Sequence, residues 1–599
     1  MDSGFLREYY QRELKILRED GAAFAGRYPK AAAHLGLGPG SPPDPLVERL
    51  LESMAYLTAR VRQESEAELP GLAGQILDLM CPSLAAPLPS ISVVSFQPDR
   101  LALKDLNQGW EIPAGAKLYS QTDGGDQPIR WRTAWPLSLS PARVTKVNPS
   151  VMSLKKFGGE GGECALLRLR FEGLRPEGGQ TVRLFLRGDR FDTFPLHDWV
   201  HTAARRLFLI DDLDRSERDF KVRSLPRSFL RPAGLEPDDL ILPGREGVWA
   251  GFRLIQEYFA CPERFLFWEL GPWPDLRGFS TGEGGVDLLL LLTEQPPNNL
   301  HFAAEMFDPA AVPVINLFER LAEPIHLDHR RTGYRIHPDI RRPESTEVHS
   351  VISVNALASG GRSFELPAYF QRDQSGAGPV GGLSWQSRRL PSPLDDGTVT
   401  RLYLTGGDMA EALTLSPRVL CTNRHQAHLR PAGELSAEIE IPARPRLVLP
   451  PTPQREPARA ADDRWRLVSN FALAQEALSG PEGLAALKNI LRLYAPPGDS
   501  YAQRQIAGIL GLATDLMFHP LRPSADHPMG GLIRGLRINL VLDDDAFLGG
   551  SPFIFANVLE VFMGLRSAIN HVTQLRLILD ERKGVYHQWP PRCGERPLL

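Results

Sequence analysis

Leu167-Arg168-Leu169-Arg170-Phe171, followed by Val182-Arg183-Leu184-Phe185-Leu186, sets apolar side chains at alternate positions. Successive side chains of a β-strand point to opposite faces, so this alternation predicts half-buried strands. Ile91-Ser92-Val93 shows the same period of two upstream. Gly and Pro punctuate the region, as at Ile112-Pro113-Ala114-Gly115 and Gly158-Gly159-Glu160-Gly161-Gly162, in the manner of hairpins and surface loops. No regular strand–helix alternation accompanies them, which predicts antiparallel sheets rather than a parallel one.

Toward the N-terminus the period changes. Leu6, Tyr10, Leu14, Leu17, Phe24 and Tyr28 recur in steps of three, four or seven and share a helical face, which Pro29 ends. Asp44-Pro45, an N-cap followed by proline at the first helical position, opens a second helix with Leu46, Leu50, Met54, Leu57 and Val61 on one stripe before Pro70. A third, from Leu72 to Met80, stops at Cys81-Pro82. Short links between striped helices predict a hairpin or small bundle, whose core is either its own or shared with another chain.

Toward the C-terminus, Ala443 to Ala461 is rich in Pro and Arg, and Pro450-Pro451-Thr452-Pro453 must be extended, so the stretch reads as a linker. Gln374 to Gly382, rich in Gly and Ser, reads as a loop. Beyond the linker Leu484, Leu487, Ile490, Leu491 and Tyr494 share a helical face, and Leu536 to Leu542 alternates as a strand. Ser551-Pro552 then caps a helix carrying Phe555, Leu559, Phe562 and Leu565, and Gln574 to Leu579 reads as a strand. The prediction is a multidomain α+β chain: an N-terminal helical region (1–88), two β-rich antiparallel domains (89–245 and 246–442), a proline-rich linker (443–462) and a C-terminal α+β domain (463–599).

Composition narrows the function. The 599 residues are 42% hydrophobic and 23% charged, as in ordinary globular proteins, and 68 Lys and Arg nearly balance 72 Asp and Glu. The cations are scattered, and the closest approach to a basic run, His329-Arg330-Arg331 with Arg341-Arg342, is interrupted by Asp328 and Asp339; nucleic acid is not the expected partner. Five widely spaced cysteines without a CxxC pair fit a reducing compartment. The most apolar run, Val286 to Leu292, contains Asp287 and falls far short of the roughly 20 residues a membrane span needs. With no signal-peptide pattern at Met1, the Sec route is not indicated, and the expectation is a soluble protein that meets membrane only through partners.

Catalytic motifs are sparse. Phosphate-loop, GxSxG, HExxH and EF-hand patterns are absent, so no cofactor and no metal is expected. Ser153-Leu154-Lys155-Lys156 matches SxxK without its SDN or KTG companions. His326-Leu327-Asp328-His329 with His337 offers imidazoles and a carboxylate to a metal if a turn brings them together, against the reading of surface or hydrogen-bonded histidines near Arg330 and Arg331. Cys421-Thr422-Asn423-Arg424-His425 sets a thiol near a base, the pattern of a cysteine hydrolase, or else a small buried cysteine at a strand end. Phe252, Tyr258, Phe259, Phe265, Phe267 and Trp268 concentrate aromatic surface, which suits a domain core or an interface anchor.

Several blocks together resemble the TssF family of type VI secretion baseplate proteins. They are Tyr9-Tyr10-Gln-Arg-Glu-Leu-Lys-Ile-Leu-Arg-Glu19, Phe24-Ala-Gly-Arg-Tyr-Pro29 and Pro45-Leu-Val-Glu-Arg-Leu-Leu-Glu-Ser-Met-Ala55, then Gly251-Phe-Arg-Leu-Ile-Gln-Glu-Tyr-Phe-Ala-Cys-Pro-Glu-Arg-Phe265, Pro313-Val-Ile-Asn-Leu-Phe318, Glu323-Pro-Ile-His-Leu-Asp328, Leu420-Cys-Thr-Asn-Arg424, Ala568-Ile-Asn570 and Trp589-Pro-Pro-Arg-Cys-Gly594. They occur in family order along nearly the whole chain. The resemblance implies a non-enzymatic cytoplasmic wedge subunit, similar to those of contractile phage tails. Two copies would associate with one TssG, recruit TssK and TssE, surround the hub and spike, and dock to the inner membrane through the assembled complex. Tyr10, Leu14 and Leu17 in the first helix, and Phe555, Leu559 and Phe562 in the C-terminal one, are the expected partner-facing or partner-supporting residues. The competing classes are a hydrolase using Cys421 and His425 and a stand-alone β-rich module binding glycan or peptide.

Overall fold

Helix α1 (Ser3–Arg27) stops just before Pro29, which begins a short helix, Pro29–His34, at the position where a missing N–H costs nothing. Asp44 then caps α2 (Pro45–Met80), its Oδ1 accepting from the Leu46 N–H at 2.8 Å. The break expected at Pro70 does not occur. A proline removes one intrahelical hydrogen bond, and here the long helical arms on either side carry the axis through it. The two predicted helices are therefore one of 36 residues, about 54 Å long.

The computed structural model describes residues 3–34, 44–80, 82–98, 109–120, 127–153, 163–211, 221–244, 248–279, 285–297, 299–328, 331–358, 361–369, 383–392, 397–406, 413–429, 433–458, 461–472, 482–496, 498–521, 531–568 and 571–594. They divide into two units, Met1–Met80 with Ala458–Ser469, and Cys81–Pro457 with Asn470–Leu599.

In the first unit α1 packs along α2, with Ala25, Ala55 and Ala59 buried and Arg18 ion-paired to Glu48. Small residues let the two helices approach closely. Part of the helix Ala461–Ala472, read from sequence as the start of the C-terminal domain, belongs here, with Leu467 buried and Arg464 lying against Gly74.

The second unit is built on antiparallel sheets, as the alternation predicts. Strand Ile91–Pro98 pairs on one side with Ala311–Ile315 and on the other with Ala443–Leu447. The latter is a correction: the first residues of the proposed linker form a strand at the end of a six-stranded sheet. Its own period of two explains this, because Ala443, Pro445 and Leu447 are buried while Arg444 and Arg446 face out. Pro445 is tolerated because the strand lies at the sheet's edge.

The five-stranded sheet carries a second departure. The alternation predicts a half-buried strand Glu163–Glu172, but Arg168 and Arg170 are buried along with Leu167 and Leu169. Strand Gly285–Leu292 pairs beside it and brings in the buried Asp287, whose Oδ2 lies 2.8 Å from Arg168 Nη2 and 3.6 Å from Arg170 Nη1. The carboxylate permits both guanidinium groups to leave water.

The C-terminal part has the predicted α+β form. Strands β1 (Ile509–Leu521), β2 (Gly531–Leu542) and β3 (Val572–Leu579) lie side by side, β1 antiparallel to β2 and β2 parallel to β3. The parallel step needs a crossover, supplied by the helix Pro552–Arg566, with Ser551 Oγ accepting from the Ile554 N–H at 2.7 Å as its N-cap.

Candidate partner interface

The stripe on α2 lies bare. Leu46, Leu50, Met54, Leu57 and Val61 are 75%, 65%, 57%, 60% and 66% exposed. Steps of four, four, three and four keep these residues on one side of the helix, the spacing of a seam between packed helices. The opposite side, with Ala55 and Ala59, carries the burial inside the unit. Exposed apolar residues scattered singly need no explanation, but five in a row along one helix mark a contact surface. Tyr10, Leu14 and Leu17 on α1 are half-buried, and Ile16, Phe24 and Tyr28 remain exposed.

The C-terminal helix has the opposite fate. Helices α3 (Val248–Ala260) and α4 (Pro552–Arg566) cross where Gly251 meets Phe562; a Cβ on Gly251 would come within 3.1 Å of the Phe562 ring and 3.3 Å of its Cα. Phe252 packs edge-on to Phe562 at 5.2 Å and Tyr258 meets Phe555 at 5.4 Å. Phe555, Leu559 and Phe562 are thus core residues of this chain and do not face a partner directly. The reason is legible in the helix itself: Ile554, Val558, Val561, Met563 and Leu565 make it apolar all round, and such a helix is buried. The aromatic stretch Phe252 to Trp268 is core throughout.

The blocks that carry the family resemblance act as fasteners. Asn316 and Asn423, from two separate blocks, clasp each other: the Asn423 N–H donates to Asn316 Oδ1 at 2.7 Å, and Asn316 Nδ2 donates to Asn423 Oδ1 at 2.9 Å. Asn316 Nδ2 also donates to the Arg130 carbonyl at 2.7 Å, and Asn423 Oδ1 accepts from the Arg130 N–H at 2.9 Å. Three distant segments are thereby held in one register. Glu257 accepts from the Ile241 and Leu242 N–H groups, each at 2.9 Å, and pairs with buried Arg264. At the end of the chain, Trp589 Nε1 donates to Asn557 at 2.7 Å and Arg592 Nε to Glu560 at 3.0 Å, binding the terminal segment to α4. Sequence reading gave none of these residues a role, because each gains its meaning only from a partner far along the chain.

The catalytic candidates do not assemble. Cys421 is buried, and desolvation pushes its thiol up to about 12, away from thiolate, while His425 is exposed. His326 is exposed and shares a hydrogen bond with Thr414 Oγ1 at 2.9 Å; His329 and residues 154–156 of the SxxK match lie outside the described residues. Burial and the charge of Arg335 lower the pKa of His337. Among the described residues no three His, Cys, Asp or Glu side chains converge as a metal site, and no helix is long and apolar enough to cross a membrane.

A large β-rich body fastened across distant segments, with a helical unit that leaves an apolar stripe bare, defines an assembly subunit. The chain matches the family described as "Type VI secretion system, TssF" over residues 1–596, and it belongs to that family. It is 33% identical to the type VI secretion system component TssF1 of Pseudomonas aeruginosa over 633 aligned positions, covering 99% of both chains. Its fold is similar to a chain of the TssK-TssF-TssG baseplate subcomplex of the type VI secretion system, with a TM-score of 0.70 at 24% identity, covering 92% of this chain and 99% of that one. It is also similar to a chain of the type VI secretion system baseplate complex, with a TM-score of 0.57 at 22% identity, covering 96% and 97%.

Proposed function

We propose that this chain is a non-catalytic wedge subunit of a type VI secretion baseplate, and that the α2 stripe is where a helix of its TssG-like partner seats. The observation that carries the reading is the run Leu46, Leu50, Met54, Leu57 and Val61, bare along one side of a long helix in a chain of this family. A partner helix laid along it forms the seam that the spacing suits, and burial of these side chains supplies the apolar core of a stable interface. The half-buried residues Tyr10, Leu14 and Leu17 on α1 support α2 from behind. Residues Phe555, Leu559 and Phe562 act at one remove, by fixing the body on which any interface is displayed.

In this reading two copies of the chain join one TssG, and the complex recruits TssK and TssE around the hub and spike. The chain works in the cytoplasm and reaches the inner membrane through the assembled baseplate. The test is co-expression with the neighbouring TssG-like and TssK-like proteins, followed by size exclusion with light scattering. A stable complex holding two copies of this chain per TssG is expected; a well-behaved monomer that ignores both partners overturns the assignment.

A further inference from the structure

Strands Gly333–Arg335, Thr398–Thr405 and Ser384–Pro391 form a small antiparallel sheet with Thr398–Thr405 in the middle. Its register sets Arg335 directly opposite Arg401 on one side and Arg388 directly opposite Arg401 on the other. Residues opposed in this way point to the same face, so three guanidinium groups stand in a row across the sheet. Like charges directly opposite one another destabilise a sheet, and this row holds two such pairs. Among the described residues none of the three arginines has a hydrogen-bond or ion-pair partner. Arg388 Nε is shut off from water with its N–H unused, a costly arrangement for a cation.

The next residue along shows how the fold treats an arginine that it needs for itself. Arg389 points to the other face, where Nη1 donates to the Val348 carbonyl at 2.9 Å and to Thr398 Oγ1 at 2.8 Å, and Nη2 to the His349 carbonyl at 2.5 Å. The donors of the row are unspent by comparison, so the row serves something outside the chain. Its borders are amphipathic. On one side Tyr403 lies flat across Gly333, where a Cβ would come within 2.7 Å of the ring; on the other, Leu390 stands half-buried opposite Val399.

The spacing says what fits. Neighbouring strands lie about 4.7–4.9 Å apart, so the row spans about 10 Å. A guanidinium takes a carboxylate in a two-pronged hydrogen bond. On a helix, carboxylates at i, i+4 and i+7 share a face and span about 10.5 Å. On an extended strand, three carboxylates on one face span about 13 Å and overshoot the row. We propose that this face docks an acidic helix of a partner protein, with carboxylates about one turn apart seated on Arg335, Arg401 and Arg388 and its flanks against Tyr403 and Leu390. The contact uses no residue of the α2 stripe, so each surface can be altered without touching the other.

The experiment uses the full chain and a fluorescein-labelled helical peptide of Ala and Gln with Glu at i, i+4 and i+7, read by fluorescence anisotropy at low salt. A peptide of the same composition with its Glu residues spread around the helix is the control, and a single-stranded DNA oligomer is the competing polyanion. The patterned peptide should bind at least about 10-fold more tightly than either, and Arg401→Gln should weaken it by about 10-fold or more, the loss of one charge-assisted pair. Because Arg401→Gln also removes both like-charge pairs, its thermal unfolding midpoint should equal or exceed that of the parent. No binding, equal binding of the control peptide, tighter binding of DNA, or undiminished binding by Arg401→Gln would each overturn the proposal. A lowered midpoint for Arg401→Gln would overturn it too, by showing that the row holds the sheet together.

Discussion

α2 and α4 carry the same signal in sequence, leucines and other large apolar residues every three or four positions, and the fold treats them oppositely. On α4 the apolar residues continue around the helix, and Asn557, Glu560 and Arg566 find partners within the chain: Trp589, Arg592 and the rings of Phe252 and Phe562. On α2 the apolar stripe shares the helix with exposed Arg49, Glu52 and Arg60, and Ala55 and Ala59 turn inward on the other side. The difference teaches that a stripe alone does not tell a private core from a shared one. What separates them is the rest of the circumference: a helix whose apolar residues continue around it, and whose few polar groups are paired within the chain, is buried by its own chain, whereas a helix with a narrow seam and charged residues beside it can wait for a partner.

The comparison can be broken first at α4. Phe562→Ala should destabilise the larger unit by about 3–5 kcal/mol, because it opens a cavity at the tight α3–α4 crossing; urea unfolding measures it, and a loss under about 1 kcal/mol would remove α4 from the core. The asparagine clasp comes next. Asn316→Ala strands the buried Asn423 N–H and should cost about 1–3 kcal/mol in the same assay, with Asn423→Ala similar and the double variant less than the sum.

A smaller effect is tied to pH. Burial and the charges of Arg389 and Arg132 push the pKa of His349 down to about 3, and burial with Arg227 and Arg205 pushes His587 down to about 4. The unfolded chain protonates histidine near 6.5, so this contribution to stability is complete above about pH 6.5 and is lost as pH falls toward the folded values. Buried Asp198, Glu257 and Glu560 have raised pKa values and act in the opposite sense, so the histidine part must be isolated by mutation. His349→Asn should flatten the acid side of the stability profile by about one proton relative to the parent chain; an unchanged slope would show that His349 titrates normally. The smallest change in stability is expected on α2: Leu50→Asp with Leu57→Asp should move unfolding by only about 0.5 kcal/mol per site, since both side chains already face water.

Much of this fold was legible where one segment decides its own structure. The alternation at Leu167 to Phe171, the Ser551-Pro552 cap, the stop at Pro29 and the aromatic core from Phe252 to Trp268 all follow from local periodicity and capping. What escaped depends on distant pairs. Arg168 and Arg170 read as a solvent face because Asp287, which pairs with both, lies in another strand. Ala443 to Leu447 read as linker because its prolines and arginines hid a period of two that only an edge position tolerates. At the candidate site the stripe on α2 was legible residue by residue, but its exposure was not, since periodicity gives a face and not what lies against it. The row of Arg335, Arg401 and Arg388 left no local trace for the same reason.

The most direct test of the account is co-purification of the full chain with its TssG-like neighbour, comparing the parent with Leu50→Asp/Leu57→Asp and with Phe562→Ala. The account predicts that the α2 double variant stays folded, as judged by its unfolding midpoint, yet loses the partner, while whatever Phe562→Ala loses in binding tracks its loss of stability. A folded α2 double variant that still holds the partner at parental stoichiometry would contradict it.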